Sequence, residues 1–549
     1  MAAKGFEAGR GTPGALSGRD DGLNAATPAA GPPEDEPGTA APPATDRRDT
    51  DQSEDEPPAA EPGTAAAPAA DRRDTDRRDN GQSGAEPGEA EPGKLDLDAV
   101  VPTAVHDLIG RLVDAGHAAY VVGGSLRDAL LGREPADWDL ATDARPDRLV
   151  ELFPGAVYEN RFGTVAVRRD QQVFEVTTFR LEHEYADFRR PHRLEFGDDI
   201  LEDLARRDFT VNAMAWGRRP REVANELVDP FDGRVDLEAR ILRSVGDPDA
   251  RFREDALRMV RAARLAATLD LAVEPATLAA ITANAGLVAH LSGERIGAEL
   301  EKLLAAPRPS VGLSLAEQTG LLAVLSPELA AQRGIPQHKI PGEDLWAHTM
   351  RTVDAAPAER PVVRLAALLH DIGKPATLAG GRFPHHESVG ASLAEALLRR
   401  LRYPRAPAEE VVHLVRHHMF QVDPDATDAA IRRFIKRIGA ERIDALFALR
   451  RADATGSGGD PDHPDTMAFR ARVEQELHAA HPLDRAALAV NGHDLIAELG
   501  LTPGPRLGRV IDELLDRVIA DPALNERGSL MLLAQGILAE MYEDAASPS

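Results

Sequence analysis

The sequence predicts an α+β protein: a small mixed β-sheet domain, then all-helical domains, all preceded by a long disordered tail. Three observations lead there. Large apolar residues are almost absent up to about residue 95. Short strand-like runs such as Tyr120-Val121-Val122 and Val173-Phe174-Glu175-Val176-Thr177-Thr178 follow, next to a glycine turn and an acidic pair. Beyond about residue 225 the apolar spacing is helical, and histidines and aspartates punctuate its later part. A chain of 549 residues exceeds one hydrophobic core, so two or three domains are expected.

The tail is taken to span residues 1–98. It consists of Ala, Pro, Gly, Asp, Glu and Arg, which cannot bury enough surface to offset the entropy of ordering. Within it Glu36-Pro37-Gly38-Thr39-Ala40 recurs as Glu61-Pro62-Gly63-Thr64-Ala65, a low-complexity duplication too polar for a solenoid. The first hundred residues carry 22 acidic and 10 basic side chains, a large share of the net charge of −27. An acidic total argues against a nucleic-acid binder unless arginines are concentrated locally. The absence of cysteine excludes disulfides and thiolate metal sites. No apolar run approaches the ~20 residues of a membrane span and no signal-peptide core is visible, so a soluble, cytoplasmic protein is expected.

The sheet domain opens with a helix around Val105–Leu112 and the segment YVVGGSLRDALLGREPADWDLAT. Gly123 and Gly124, between strand and helix, let backbone N–H groups approach a triphosphate, and Arg127 adds a positive charge one turn later. Asp137-Trp138-Asp139 alternates as a strand, with both carboxylates on one face and Trp138 on the other. Paired hard oxygen ligands suit Mg²⁺, and two such ions activate a 3′-hydroxyl and stabilise a leaving pyrophosphate. A third carboxylate is expected on a neighbouring strand, and Glu175 is the candidate.

Further segments follow in order: RFGTVAV, FEVTTFR, EYADFRRPH, LEDLARRDFTVNAMAW, LVDPFDGRVDLEARILRSVGDP, RFREDALRMVRAARLAA and ERIGAELEKLL. Over about residues 105–305 the chain resembles the bacterial CCA-adding and poly(A) polymerase branch of the DNA polymerase β superfamily. Leu126, Asp232 and Leu265 depart from the usual pattern without removing a charged group. The resemblance implies a palm at 99–225 with catalytic Asp137, Asp139 and Glu175, and a helical neck at 226–330. It also places Arg206 and Arg207 beside the nucleotide.

Asp255 and Arg258 are three apart on a segment of helical periodicity, so they are expected on one face. Cytosine and adenine both offer an amino donor beside a ring-nitrogen acceptor, which a carboxylate next to a guanidinium matches and uracil and guanine do not. The resemblance implies that Asp255 and Arg258 select the base in this way and that Arg261 and Arg264 contact phosphates. The 294–304 helix, including Glu299, reads as mainly structural.

From about residue 331 to 545 a second pattern holds His348 in DLWAHTM, His370 and Asp371 in LLHDIGKP, His386 in FPHHESVGA, His417 and His418 in LVRHHM, and Asp453 in RADATG. Imidazoles and carboxylates on successive helices suit a divalent transition metal in a bundle interior. The order of His348, His370, Asp371 and Asp453 resembles the HD phosphohydrolase superfamily. His386, His417 and His418 resemble the further ligands of its dinuclear members, and Lys374 is a candidate phosphate contact.

The expected function is CCA addition to tRNA from CTP and ATP, with a possible second, HD-type phosphohydrolase activity. Poly(A) polymerase and CC- or A-adding activities are the alternatives within the family. A protein uridylyltransferase and a non-catalytic RNA-binding protein are those outside it. The oligomeric state is left open.

Overall fold

The computed structural model describes residues 96–158, 163–169, 172–185, 191–337 and 339–546. The expected tail up to residue 95, Arg161 and Phe162, and residues 186–190 of the EYADFRRPH segment lie outside the described residues.

The predicted first helix forms over Thr103–Asp114, burying Val105, Leu108, Ile109 and Leu112 at three- and four-residue spacing. Strands follow at β1 (Ala119–Val122), β2 (Asp139–Thr142), β3 (Val157–Tyr158), β4 (Thr164–Arg169), β5 (Gln172–Thr178), β6 (Arg180–Tyr185), β7 (Pro191–Phe196), β8 (Ala215–Arg218) and β9 (Glu226–Val228). Among the described residues, β6 and β7 pair only with each other. The other seven form one mixed sheet in the order β3-β4-β5-β2-β1-β8-β9. Only β2 and β5 run parallel in it, with Asp139, Leu140, Ala141 and Thr142 opposite Glu175, Val176, Thr177 and Thr178.

Strand alternation sorts the two faces. Leu140, Val176 and Val121 join the large core that includes the Thr103–Asp114 helix. Tyr120, Val122 and Ala141 instead pack under Ile200 and Leu204 of the helix Ile200–Ala205. Asp139 and Glu175 lie on this second face, and the helix covering it ends one residue before Arg206 and Arg207.

The remainder is helical apart from a short parallel pairing of Ile241–Leu242 with Ala272–Val273. The large core runs without interruption from the sheet through Val260, Ala263 and Leu303 to Leu365, Leu368 and Leu398. Arg364, buried on the helix Pro361–Leu369, donates to the carbonyls of Leu304 and Ala306 at the end of the helix Gly293–Leu304, and to that of Ala356. A second apolar cluster, from Leu488 to Leu538, is built by the helices Gly492–Leu499, Pro505–Ala520 and Arg527–Ala546 together with Leu488, Val490 and Leu501 beside them. Arg432 links it to the bundle by donating to the carbonyls of Ile519 and Ala520. Among the described residues no helix is long and apolar enough to cross a membrane.

One predicted helix is divided. The segment around 255 forms two helices, Pro248–Glu254 and Leu257–Leu269, with Asp255 extended between them (φ −142°, ψ 102°). Its carboxylate accepts the Leu257 N–H at 3.0 Å and its carbonyl the Arg258 N–H at 3.0 Å, so it caps a new helix instead of continuing the old one. The shared helical face expected for Asp255 and Arg258 is therefore absent.

Candidate functional site

The palm site is built where β1 turns into the helix Gly123–Leu130. Gly123 sits at φ +74°, and a Cβ there would lie 3.2 Å from Arg207 Nη1 and 3.8 Å from Asp139 Oδ2. Glycine thus serves both the left-handed turn and the close approach of backbone to an arginine and a carboxylate. Gly124 follows, and a Cβ there would lie 3.5 Å from the Arg127 guanidinium. Arg127 is held by Asp128 and by the Asn212 side-chain oxygen at 2.6 Å.

Two further carboxylates gather around Asp139. Glu175 is its register partner, and Asp137 precedes it in the bend before β2, exposed, while Trp138 between them is buried. Burial, then Asp137 and Glu175, push the Asp139 carboxyl up to about 6, against the pull of Arg207. The hard carboxylate oxygens gathered here are the donor set a divalent cation takes.

The flanking arginines are each braced by an acid. Arg206 and Arg207 both donate to Asp203, at 2.7 and 3.0 Å. Burial opposes the charge on Asp203, but the two guanidiniums hold its carboxyl down at about 2. Asp255 accepts from Arg295 at 2.7 Å, whereas Arg258 donates to Glu254 at 2.6 Å and to the Arg206 carbonyl at 2.9 Å. The two are neighbours in the chain but are held by different partners. Arg261 reaches Asp208 at 2.7 Å, and Arg264 reaches Glu299 at 2.6 Å. Asp208 is likewise held at about 2, burial being outweighed by Arg261 and Asn212. The 294–304 helix thus supplies Arg295 and Glu299 directly to this region.

The second site converges from five helices or helix ends. His348 lies on Leu345–Ala355, and His370 and Asp371 end Pro361–Leu369. His386 opens His386–Arg400, His418 ends Arg405–His417, and Asp453 lies on Ile443–Gly456. The turn after the pair fits because Gly373 lacks a Cβ, which would stand 2.2 Å from the His386 carbonyl. His348 Nε2 is 3.1 Å from His370 Nε2, 3.4 Å from Asp371 Oδ2 and 3.2 Å from Asp453 Oδ1. On the other side of Asp371, Oδ1 is 3.4 Å from His386 Nε2 and 3.6 Å from His418 Nε2, which are 3.3 Å apart.

These spacings fit metal ligation. Metal–nitrogen bonds of about 2.0–2.1 Å place adjacent donors about 2.9–3.4 Å apart. The tautomers fit too. Nδ1 of His370, His386 and His418 faces the carbonyl of Ala367, Phe383 and Val415 respectively, at 2.7–2.9 Å, which leaves each Nε2 to the centre. Asp371 offers one oxygen to each triad, the arrangement of a bridging carboxylate. Burial opposes its charge, but the imidazoles of His370, His348 and His418 hold its carboxyl well below the usual range. Asp453 is held low by His348, His370 and Lys339 against burial, and burial pushes His370 and His386 down toward the neutral, ligating form.

His417 does not join them. Val411, Leu414 and Val415 form the buried stripe of the Arg405–His417 helix and His418 extends it, whereas His417 stacks on His413 on a different face. Burial, His413, Arg437 and Arg416 push its imidazole down to about 4. Lys374 stands on the cluster itself, 2.6 Å from Asp371 Oδ2.

Comparison with known proteins agrees in order and extent. Residues 119–243 match the Poly A polymerase head domain, 270–333 the "probable RNA and SrmB- binding site of polymerase A", and 342–455 the HD domain. The CCA-adding enzyme of Geobacillus kaustophilus is 35% identical over 430 residues, covering 76% of this chain and 93% of the relative. The A-adding tRNA nucleotidyltransferase of Deinococcus radiodurans is 34% identical over 423 residues, covering 72% and 91%. The crystal structure of the Bacillus stearothermophilus CCA-adding enzyme in complex with CTP superimposes with a TM-score of 0.62 at 29% identity, covering 80% of this chain and 98% of that one. The chain thus aligns along nearly the whole length of these relatives, and it belongs to the CCA-adding enzyme family of nucleotidyltransferases.

Proposed function

We propose that this chain adds C, C and A in turn to the 3′ end of tRNA, from CTP and ATP and without a nucleic-acid template, in the cytoplasm. The observation that carries the reading is the register pairing of Asp139 with Glu175, with Asp137 alongside, behind the Gly123-Gly124 turn. Asp137, Asp139 and Glu175 would hold Mg²⁺, which when bound would activate the 3′-hydroxyl and neutralise the leaving pyrophosphate. Gly123, Gly124, Arg127, Arg206 and Arg207 receive the triphosphate. Asp255 and Arg258 present acceptor and donors to the edge that C and A share, Arg261 holds the neck against the palm through Asp208, and Arg264 braces the neck itself through Glu299. Both bases satisfy Asp255 and Arg258, so the change from C to A comes from pocket size as the 3′ end grows. The tRNA is gripped through its shape and phosphates, which makes binding salt-dependent.

His348, His370, Asp371 and Asp453, with His386 and His418 across Asp371, would hold a divalent transition metal, which when bound would supply the Lewis acidity for phosphate-ester hydrolysis. A second reading, A-addition alone, is favoured by the Deinococcus radiodurans relative, which matches almost as well as the CCA-adding enzymes. Incubating the protein with tRNA ending before CCA, after C and after CC, with each nucleotide in turn, decides between them. C-addition to the first two substrates and A-addition to the third is expected. A-addition only to tRNA ending in CC assigns the narrower activity.

A further inference from the structure

The segment joining neck and HD bundle folds back on itself. The Leu345 N–H donates to the Ile335 carbonyl, and the Gly334 N–H to the Asp344 carboxylate. The loop pinned at these ends sends two side chains to the HD centre. Gln337 Nε2 lies 3.3 Å from Asp371 Oδ2. Lys339 Nζ lies 3.4 Å from Asp453 Oδ1 and 2.8 Å from Ser457 Oγ. Lys374 Nζ meets the same Asp371 Oδ2 at 2.6 Å. Each carboxylate facing His348 and His370 is therefore matched by one ammonium.

The charges make a statement about the ligand. Two carboxylates and two ammonium groups cancel. A divalent ion on the same carboxylates leaves two positive charges in excess beside a largely buried cluster, and ammonium groups next to such an ion lose the partners they had. An anion with two negative charges restores the balance. A phosphate monoester is such a dianion, and its several oxygens give the metal and both ammonium groups their own acceptor. A phosphodiester carries half that charge.

We propose that Lys339, contributed by the loop and not by the HD motif, forms with Lys374 an ammonium pair that makes the metal-loaded HD centre a receptor for a phosphate dianion, as at the end of a phosphomonoester. The inference rests on the metal-holding reading of that centre. Lys339 is a positioning residue for the phosphate, and Ser457 orients it while no ligand is bound.

The test uses the full chain, loaded with Mn²⁺ or stripped of metal, and inorganic phosphate as the probe. Bound metal is measured by elemental analysis and phosphate affinity by calorimetry, for wild type, Lys339→Gln and Lys339→Arg. Wild type is expected to bind phosphate at least about tenfold more tightly with metal than without. Lys339→Gln should keep its metal and its nucleotide addition but lose about tenfold or more in phosphate affinity, and Lys339→Arg should recover most of it. Unchanged phosphate affinity in Lys339→Gln, or reduced metal content, overturns the proposal while leaving the metal centre standing. Absence of metal at the HD centre in wild type overturns both.

Discussion

Asp139 and Glu175 are register partners on the parallel strands β2 and β5, so one backbone pairing places two carboxylates side by side before any ligand arrives. Their mutual repulsion, added to burial, is stored in the metal-free fold. It gives the palm a pH signature of its own.

The Asp139 carboxyl is raised to about 6, so its charge destabilises the metal-free fold above that pH, and the penalty is relieved as pH falls through 6 toward its ordinary value. In chelator, lowering the pH from 7.5 to 5 should therefore raise this group's contribution to Tm, and Asp139→Asn should flatten that dependence. Mg²⁺ should stabilise wild type more at pH 7.5 than at pH 5. Asp139→Asn should also abolish nucleotide addition while tRNA affinity stays within a few-fold. Scanning calorimetry and a primer-extension assay read these effects, and an Asp139→Asn protein with normal turnover would overturn the assignment.

Arg295 should govern fidelity through Asp255. Removing its 2.7 Å contact in Arg295→Met leaves the base acceptor free to turn, and discrimination against UTP and GTP should fall by roughly tenfold. Asp255→Ala should lose at least as much, and the double variant should lose little more than Asp255→Ala alone, because the two act as a unit. Values of kcat/KM for the four nucleotides, on tRNA ending before CCA and in CC, give the comparison. Additive losses would show that Arg295 acts elsewhere.

The two adjacent histidines should separate cleanly. His418→Ala and His370→Ala should lower bound metal, whereas His417→Ala should leave it unchanged, since His417 stacks on His413 outside the cluster. None of the three should slow CCA addition. Equal metal loss in His417→Ala and His418→Ala would mean the helix end is arranged differently in solution.

Asp203 and Asp208 set the acid limit of the palm. Both carboxyls lie near 2, below their ordinary value, so their stabilisation is complete above about pH 4 and is lost as pH falls toward 2. Asp208→Asn breaks the pair of buried Asp208 with the partly exposed Arg261 and should cost about 1–3 kcal/mol at pH 7. The deficit should shrink on acidification, as wild type loses the same charge. Chemical denaturation at pH 7 and pH 3 tests the sign.

Much of the palm was legible because strand alternation is a strict rule. Phe174, Val176 and Thr178 face inward, which leaves Glu175 on the Asp139 side. The break at Asp255 was hidden because apolar periodicity continues through it, and only the cap formed by its carboxylate interrupts the helix. The choice of His418 over His417 was present in the sequence, in the spacing of Val411, Leu414 and Val415, but two adjacent histidines look alike until that stripe is followed. Arg295 with Asp255, and Lys339 with Asp453, are separated by 40 and 114 residues, and no local pattern announces such a contact.

The Arg364 guanidinium, closing the carbonyls of Leu304 and Ala306 from the far side of the neck, bears on how the chain can be divided. A fragment ending near residue 335 would carry the whole nucleotide-handling apparatus, yet its neck would end in uncapped carbonyls, with Val260, Leu300 and Leu303 stripped of Leu365, Leu368 and Leu398. Such a fragment should aggregate unless those apolar positions are made polar. The HD bundle is thus a foundation as well as a candidate second catalyst, and a lineage that lost every metal ligand in it would still be under selection to keep its helices.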